Sequence, residues 1–464
     1  MTPVAELLLP EVEELLKAEQ WSELRQALHH LHPADVAEIL ANVNTKHAAL
    51  GFRFLQRDDA GQVFAYLSTE LQEKIIDQLS TEDAARVLEG MEPDDRARLV
   101  DEMPEECSQR IVAHLSPETR KITQAILGYP ERSVGRLMTP DYVRIKQDWT
   151  VSQAIDHIRR HGKDAETINV VYVVDDSGKL IDDMRLRQVF LASPDTRIES
   201  LMNSSFVTLR ADQDREEAVR LMARYDRTAL PVVDGRGALI GIVTHDDVAD
   251  VAQQEATEDI QKLGGVAALE EPYITTSHMT MFKKRGPWLA ALFVGQTITI
   301  VVLGSFQKRL EEAAVLTLFM PLVMSCGGNS GSQAATLVTR ALGLGEVGPS
   351  DWMRIIRREL ISALLLGVVL SSMGWACVEF FTLIGHAKVA EPWHAQRLAL
   401  HVALAIFSVV MWGVLLGSIL PLGLKKLGVD PASASSPMVA TLMDASGTMI
   451  YLGLAILILT GTIL

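Results

Sequence analysis

Ser435-Ser-Pro-Met-Val-Ala-Thr-Leu-Met-Asp444-Ala-Ser-Gly447 lies in a run, residues 431–464, whose only charged residue is Asp444. Such a run crosses a hydrocarbon core ~30 Å thick at ~1.5 Å per residue. A carboxylate inside it costs on the order of 3 kcal/mol, which marks Asp444 as functional rather than incidental; the alternative is an interhelical structural group. Four further uncharged runs precede it, at residues 287–307, 313–339, 360–378 and 398–424. Together they predict an α-helical membrane domain of five spans over residues 283–464. Three basic clusters, Lys283-Lys-Arg285, Arg354 with Arg357 and Arg358, and Lys425-Lys426, all fall on one side of such a bundle. Positive loops stay inside, so the reading is a multi-pass protein of the cell inner membrane with its N-terminus cytoplasmic and its C-terminus outside.

The second run is polar where lipid would not tolerate it: Pro321-Leu-Val-Met-Ser-Cys-Gly-Gly-Asn-Ser-Gly-Ser-Gln-Ala-Ala-Thr336. Its glycines at 327 and 331 permit close helix approach or local unwinding, and Asn329, Ser332, Gln333 and Thr336 offer oxygens to a bundle interior. One carboxylate is a poor cage for a divalent ion. A homodimer with its pore on the twofold axis sets two copies of Asp444 on one ion. Magnesium suits that arrangement, because it dehydrates reluctantly and prefers a few carboxylates plus retained waters.

The chain has 464 residues and a net charge of −16, unevenly spread: −20 through Phe282 and +4 after it. So acidic a soluble part repels phosphate backbones, which excludes nucleic acid as a partner and favours divalent cations. Cys107, Cys326 and Cys377 match no zinc or disulfide spacing. The N-terminus lacks a basic stretch followed by an apolar one, so no signal peptide is expected. No His-Glu-x-x-His, nucleophile elbow or P-loop occurs, so an enzyme is not expected.

The soluble part carries two internal repeats. Leu67, Leu79, Met91, Met103 and Leu115 fall twelve residues apart, each followed by a helix start signal such as Ser80-Thr-Glu82 or Glu92-Pro-Asp94. Short capped amphipathic helices at that period predict an all-α solenoid as the N-terminal domain, residues 1–131. The second repeat has period 64, from Met138-Thr-Pro to Met202-Asn-Ser. In each copy an extended stretch (142–145, 206–209) leads to a helix (151–161, 215–225), a strand (170–174, 230–233) and a turn. The strings Leu-Pro-Val-Val-Asp-Gly and Ile-Gly-Ile-Val-Thr-His-Asp-Asp resemble a tandem of CBS domains, an α/β module placed at residues 132–252. CBS pairs often bind adenosine ligands such as ATP, with a Thr-x-x-Asp like Thr244 and Asp247 at the nucleotide. The first copy departs from that pattern at Ile181-Asp-Asp-Met184 and Gln188, which argues against a nucleotide. A helical pattern from Asp246 to Leu263 begins a long connecting helix, placed at residues 253–282.

Helical solenoid, CBS pair, acidic connecting helix and five spans in that order resemble the MgtE family of magnesium channels over nearly the whole chain. The Gly-Gly-Asn-x-Gly-x-Gln string at 327–333 and Pro-x-x-Ala-Thr-Leu-x-Asp at 437–444 are its specific marks. The resemblance implies a homodimeric pore holding hydrated magnesium at Asp444, helped by backbone oxygens near Ala440 and by polar groups near Asn329. It implies further magnesium ions bound between the acidic cytosolic domains and the connecting helix, which then plugs the pore. Their ligands would come from Glu216, Asp226, Asp247, Asp250, Glu255, Glu258 and Asp259, with Asp59 and Asp95 from the solenoid. Two alternatives remain open at this stage: a carrier of cobalt, nickel or manganese, against which the lack of a His or Cys cluster argues, and a membrane-anchored magnesium sensor that conducts nothing.

Overall fold

The computed structural model of the chain describes residues 2–18, 20–55, 57–269, 273, 274, 276–387 and 392–460. The tail of the last apolar run, 461–464, therefore lies outside the described residues. The chain divides into two units, Met1–Gln253 and Gln254–Leu464.

Ten short helices open the first unit among the described residues. Ser68, Ser80, Glu92, Pro104 and Ser116 are the N-caps of Thr69–Ile76, Thr81–Glu89, Pro93–Glu102, Glu105–Val112 and Pro117–Leu127, each where its start signal stands. The Ser80 and Ser116 hydroxyls accept from the Asp83 and Thr119 amides at 3.1 and 3.3 Å, satisfying helix donors that would otherwise be orphaned. Alternate helices stack: Pro3–Lys17 on Pro33–Ala41, then Arg57–Ala65, Thr81–Glu89 and Glu105–Val112. Leu67, Met91, Met103 and Leu115 are buried and Leu79 is partly so, which makes the twelve-residue spacing the trace of one shared core.

Two copies of a three-stranded unit follow. The first has strands β1 (Tyr142–Lys146), β2 (Thr167–Val174) and β3 (Leu180–Arg185); the second has β4 (Leu209–Arg210), β5 (Ala229–Val233) and β6 (Leu239–Thr244). In each the order is sequential, parallel then antiparallel. The helix Val151–His161 forms as its pattern dictates, closed by a capping box at Thr150 and Gln153. The strand expected at 206–209 shrinks to two residues. The copies share a core of Val170, Tyr172, Val174, Leu180, Val233, Leu239 and Ile242. The unusual Asp182 and Asp183 have structural work there. Asp182 is buried and accepts from the Asn203 and Ser204 amides at 2.8 and 3.1 Å, and Asp183 pairs with Arg227 of the second copy at 3.1 Å.

The helix His245–Leu263 crosses the boundary between the units and stops at Gly265, whose positive φ of 74° suits glycine at a helix end. The connecting helix is thus shorter than residues 253–282: described residues from 264 to 277 are not helical, and 278 onward belongs to the next helix. In the second unit four helices are long and apolar enough to cross a membrane, His278–Ser305, Pro349–Leu383, Trp393–Lys426 and Ser436–Leu459. Val315–Gly343 equals them in length, with 29 residues, but Ser325-Cys-Gly-Gly-Asn-Ser-Gly-Ser-Gln333 keeps it out of that apolar class. So the described structure gives four apolar spans and one long polar-centred helix, where the sequence reading counted five spans with the second of them polar.

Candidate functional site

Asp444 sits at mid-helix in Ser436–Leu459, half-buried, and its Oδ2 accepts from Gln296 Nε2 of His278–Ser305 at 3.0 Å. Ala440 lies one turn earlier, facing the polar-centred helix: a methyl at Gly328 would stand 4.0 Å from its Cα. Ser332 Oγ donates to the Ser436 carbonyl at 3.3 Å, so the two helices meet at this level. Asn329 is exposed and donates to Ser325 Oγ at 3.3 Å. Ser325, Asn329, Gln333 and Thr336, spaced by four, four and three, form one exposed polar row.

The glycines of this helix do a different job. A methyl at Gly331 would stand 2.8 Å from the Gly413 carbonyl oxygen, one at Gly413 2.5 Å from that of Gly327, and one at Gly417 2.1 Å from that of Gly331. Two Gly-x-x-x-Gly pairs, 327/331 and 413/417, thus cross backbone to backbone, and the helix runs through without unwinding. The sequence reading found the first pair and missed the second. It also missed Gln296, whose signal was an amide in an otherwise apolar run.

A second site is acidic and lies wholly in the first unit. Glu92 caps Pro93–Glu102, whose first turn carries Asp94 and Asp95; Asp246 and Asp247 open His245–Leu263. Asp94 is buried, 7% exposed, and shares a hydrogen bond with the Asp247 carboxyl, while Thr244 Oγ donates to Asp247 at 2.6 Å. Burial, then the negative charge of Asp247 and Asp95, drives the Asp94 carboxyl well above the usual carboxylate range. Burial and mutual repulsion likewise push Glu92 up to about 8 and Glu166 to about 7. Carboxylates crowded this way hold protons unless a cation takes their place. The all-oxygen donor set and the shared Asp94–Asp247 proton fit a hard divalent ion such as magnesium. Asp95 and Asp247 were expected as ligands from sequence; Glu92 and Asp94 were read there as a helix start signal and Asp246 as the start of a helical pattern, and Glu166 was not singled out, because their meeting is tertiary.

A third group lies in the second unit. Glu255, Glu258 and Asp259 are half-buried on one stretch of His245–Leu263. Lys262 Nζ pairs with Glu258 and, at 2.6 Å, with Asp430 of the linker between the last two helices. Burial, then the charge of Asp430, raises the Asp259 carboxyl, and its Oδ2 lies beside Gly343 at the end of Val315–Gly343. Gly265 abuts Trp288 and Pro437, and the Ala267 amide donates to the Lys284 carbonyl at 3.2 Å. The end of the connecting helix is therefore packed on the starts of the first and last apolar spans.

The remaining expected ligands are not gathered on one chain. Glu216 opens a ten-residue helix and Asp226 caps its other end, about 15 Å away, and both are exposed. Asp250 is exposed one turn beyond Asp246 and Asp247. Asp59 is half-buried on Arg57–Ala65, the helix whose Gly61 abuts Gly90 and Met91. Among the described residues no three His, Cys, Asp or Glu side chains close to metal-ligating distance, so the acid groups are assembled but not drawn into coordination shells. Asp226 instead lines an open cavity of about 790 Å³ with Asn169, Arg185, Arg187, Arg227 and Thr228.

Fold and sites together define a CBS-containing, multi-domain membrane protein of the divalent-cation transporting class. Family models describe residues 31–132 as an MgtE intracellular N domain, 134–182 and 198–253 as CBS domain, and 320–454 as a divalent cation transporter of the MgtE type. The magnesium transporter MgtE of Thermus thermophilus is 39% identical over 457 residues, 98% of this chain and 99% of that one. The Bacillus subtilis magnesium transporter MgtE is 32% identical over 442 residues, 95% of each chain. Two solved structures align with just over half of the chain. The cytosolic domain of the Mg²⁺ channel MgtE in complex with ATP is 37% identical, with a TM-score of 0.51 over 53% of this chain and 100% of that one. The soluble part of a magnesium transporter is 26% identical, with a TM-score of 0.52 over 54% and 99%. The chain belongs to the MgtE family of magnesium transporters, and it is a transport protein rather than an enzyme.

Proposed function

We propose that the chain is a magnesium-selective channel of the cell inner membrane, built as a homodimer and shut by magnesium on the cytosolic side. The observation that carries this reading is Asp444, a half-buried carboxylate in an apolar spanning helix, held by the neutral amide of Gln296. That amide orients the carboxylate without cancelling its charge, leaving it to act on a passing cation. The exposed row Ser325, Asn329, Gln333 and Thr336 supports the dimer, since such groups facing hydrocarbon would cost several kcal/mol unless they line a wet path. Val315–Gly343 then serves as the fifth span, inside the bundle rather than against lipid. Magnesium is the substrate, keeping most of its waters; Asn329 and the carbonyl of Ala440 would accept from those waters while paired copies of Asp444 supply charge. The basic clusters before the first span and after the second and fourth put the soluble unit in the cytoplasm and the C-terminus outside. In this reading residues 1–131 form the solenoid, 132–252 the CBS pair, 253–282 the connecting segment and 283–464 the pore.

Regulation follows from the acid groups. Asp95 and Asp247, with Glu92, Asp94 and Glu166, would hold one regulatory magnesium; Glu255, Glu258 and Asp259, with Asp430, would hold another. The bound ion supplies the positive charge that lets crowded carboxylates stay ionised together. Asp59, Glu216, Asp226 and Asp250, set apart on one chain, complete sites only with acids from elsewhere in the assembly. Uptake in a strain lacking its own magnesium transport tests the core of this. Wild type should rescue growth at low magnesium, without importing cobalt in preference, and Asp444→Ala should abolish rescue. Unchanged uptake in that variant would leave a non-conducting sensor as the reading.

A nucleotide is a second ligand that a specific observation favours. Arg185, Arg187 and Arg227 with Thr228 ring the 790 Å³ cavity, a setting for phosphates, and the 37% identical cytosolic domain was crystallised with ATP. This is not the Thr244–Asp247 cleft considered from sequence, which is occupied by the acid group.

A further inference from the structure

We infer that Lys262 is a tethered counter-cation: its ammonium occupies the acid group of the connecting helix in place of the regulatory ion and sets how much magnesium is needed to displace it. The inference rests on the reading that this group takes magnesium. Its Nζ is held by Glu258, one turn back on the same helix, and by Asp430 at 2.6 Å, with Asp259 and Glu255 acting on the same charges. The Lys262 side chain is 24% exposed, Glu258 16% and Asp430 37%, so the pairs are sheltered enough to outweigh ordinary surface ion pairs. Asp430 is fixed independently, because its other oxygen accepts from the Ala432 amide at 2.9 Å. The bridge therefore ties the end of His245–Leu263 to the linker between the last two helices.

Two consequences follow from one cation at this place. With no magnesium present the ammonium adds to the packing at Trp288 and Pro437 in keeping the helix end on the linker, since without it Glu255, Glu258, Asp259 and Asp430 would repel. When magnesium arrives it must work against the ammonium's charge and take two of its carboxylates. Lys262 thus holds the helix end in the ion-free state while weakening the ion's site. Glu258 and Asp430 become shared property of a monovalent and a divalent cation.

Hydrogen exchange of the purified full-length protein, followed in peptides covering residues 254–269 with chelator and across a magnesium titration, separates these effects. In chelator, Lys262→Met and Asp430→Asn should each exchange about fivefold faster than wild type there, whereas Lys262→Arg should stay near wild type. In the titration, Lys262→Met should reach half-protection at about tenfold less magnesium. Equal exchange of wild type and Lys262→Met in chelator overturns the tether. A midpoint that stays put or moves upward overturns the competition. A wild type that exchanges alike with and without magnesium refutes the regulatory reading instead, and the chelator comparison still decides the tether.

Discussion

Removing magnesium should loosen the soluble unit strongly near pH 8 and hardly at all near pH 5. Glu92 and Glu166 are raised from 4.5 to about 8 and about 7 in the folded protein. A carboxyl whose folded value is raised contributes stability that is fully present below its unfolded value and is lost as pH rises through the folded one. At about 1.36 kcal/mol per pH unit the separations correspond to about 5 kcal/mol for Glu92 and about 3 kcal/mol for Glu166. The two groups sit in one another's field and solvent reaches both, so the combined loss between pH 5 and 8 is set at about 3 kcal/mol. For a unit of this size that is about 6–12 °C in Tm. Magnesium at twentyfold over its Kd restores about 1.8 kcal/mol per site, and only where the protons have left. The assay is thermal unfolding of the full-length protein at both pH values, in chelator and in saturating magnesium. Asp94→Asn sharpens it: near pH 8 it should raise Tm in chelator, because one repelling carboxyl is gone, and remove most of the magnesium-dependent gain. A chelator Tm that does not fall with pH, or a magnesium gain equal at both, would refute the electrostatic account.

Three further outcomes follow from the geometry. Gln296→Leu removes the donor to Asp444 and should cut magnesium uptake about tenfold at unchanged expression, the usual cost of losing a partner that orients an ion's ligand. Gly417→Ala pushes a methyl into the Gly331 backbone and should cost ~1–3 kcal/mol, seen as a lowered unfolding temperature in detergent, whereas Gly423→Ala, which meets nothing within 4 Å, should leave it unchanged. Arg187→Ala should weaken binding of a fluorescent ATP analogue about tenfold while leaving the magnesium response of unfolding intact.

What the sequence showed, it showed through period and local chemistry. Ser80 and Ser116 cap helices because a hydroxyl ahead of a helical stretch accepts an orphan amide, a rule that needs no tertiary information. The Val151–His161 helix follows from a 3.6-residue period in the same way, and Thr167–Val174 and Ala229–Val233 follow from continuous apolar runs, whereas the stretch 206–209 yields only Leu209–Arg210. Glu92 and Asp94 escaped as a site because they share a helix start that reads as a cap, and their partners Glu166 and Asp247 come from a strand start and another helix far along the chain. Asp182 and Asp183 were read as a lapse in a nucleotide pattern; in the structure they pin the second copy to the first. Gly413 and Gly417 carried the same spacing as Gly327 and Gly331, but spacing does not say which two helices cross.

Each carboxylate group in this chain has a different occupant where a divalent ion would sit, and the difference has consequences. Between Asp94 and Asp247 it is a proton, at Glu258 and Asp430 an ammonium, and at Asp444 a neutral amide. A proton is displaced with a pH dependence, an ammonium without one between pH 6 and 8, because lysine stays charged across that range. An amide need not be displaced at all, since it donates to one oxygen and leaves the other to the cation. Magnesium should therefore engage the soluble acid group more tightly as pH rises through about 7, engage the connecting-helix group at a threshold that pH leaves alone, and meet no such barrier at Asp444. The order suits the tasks, because a sensor must be empty until its ion is abundant and a conduction site must never be filled by anything that stays. Magnesium titrations near pH 6 and near pH 8, read by hydrogen exchange in residues 92–101 and 254–269 of the same protein, test it directly. A midpoint that moves with pH in the first stretch and stays fixed in the second is expected; two midpoints that move together would mean that one kind of occupant governs both.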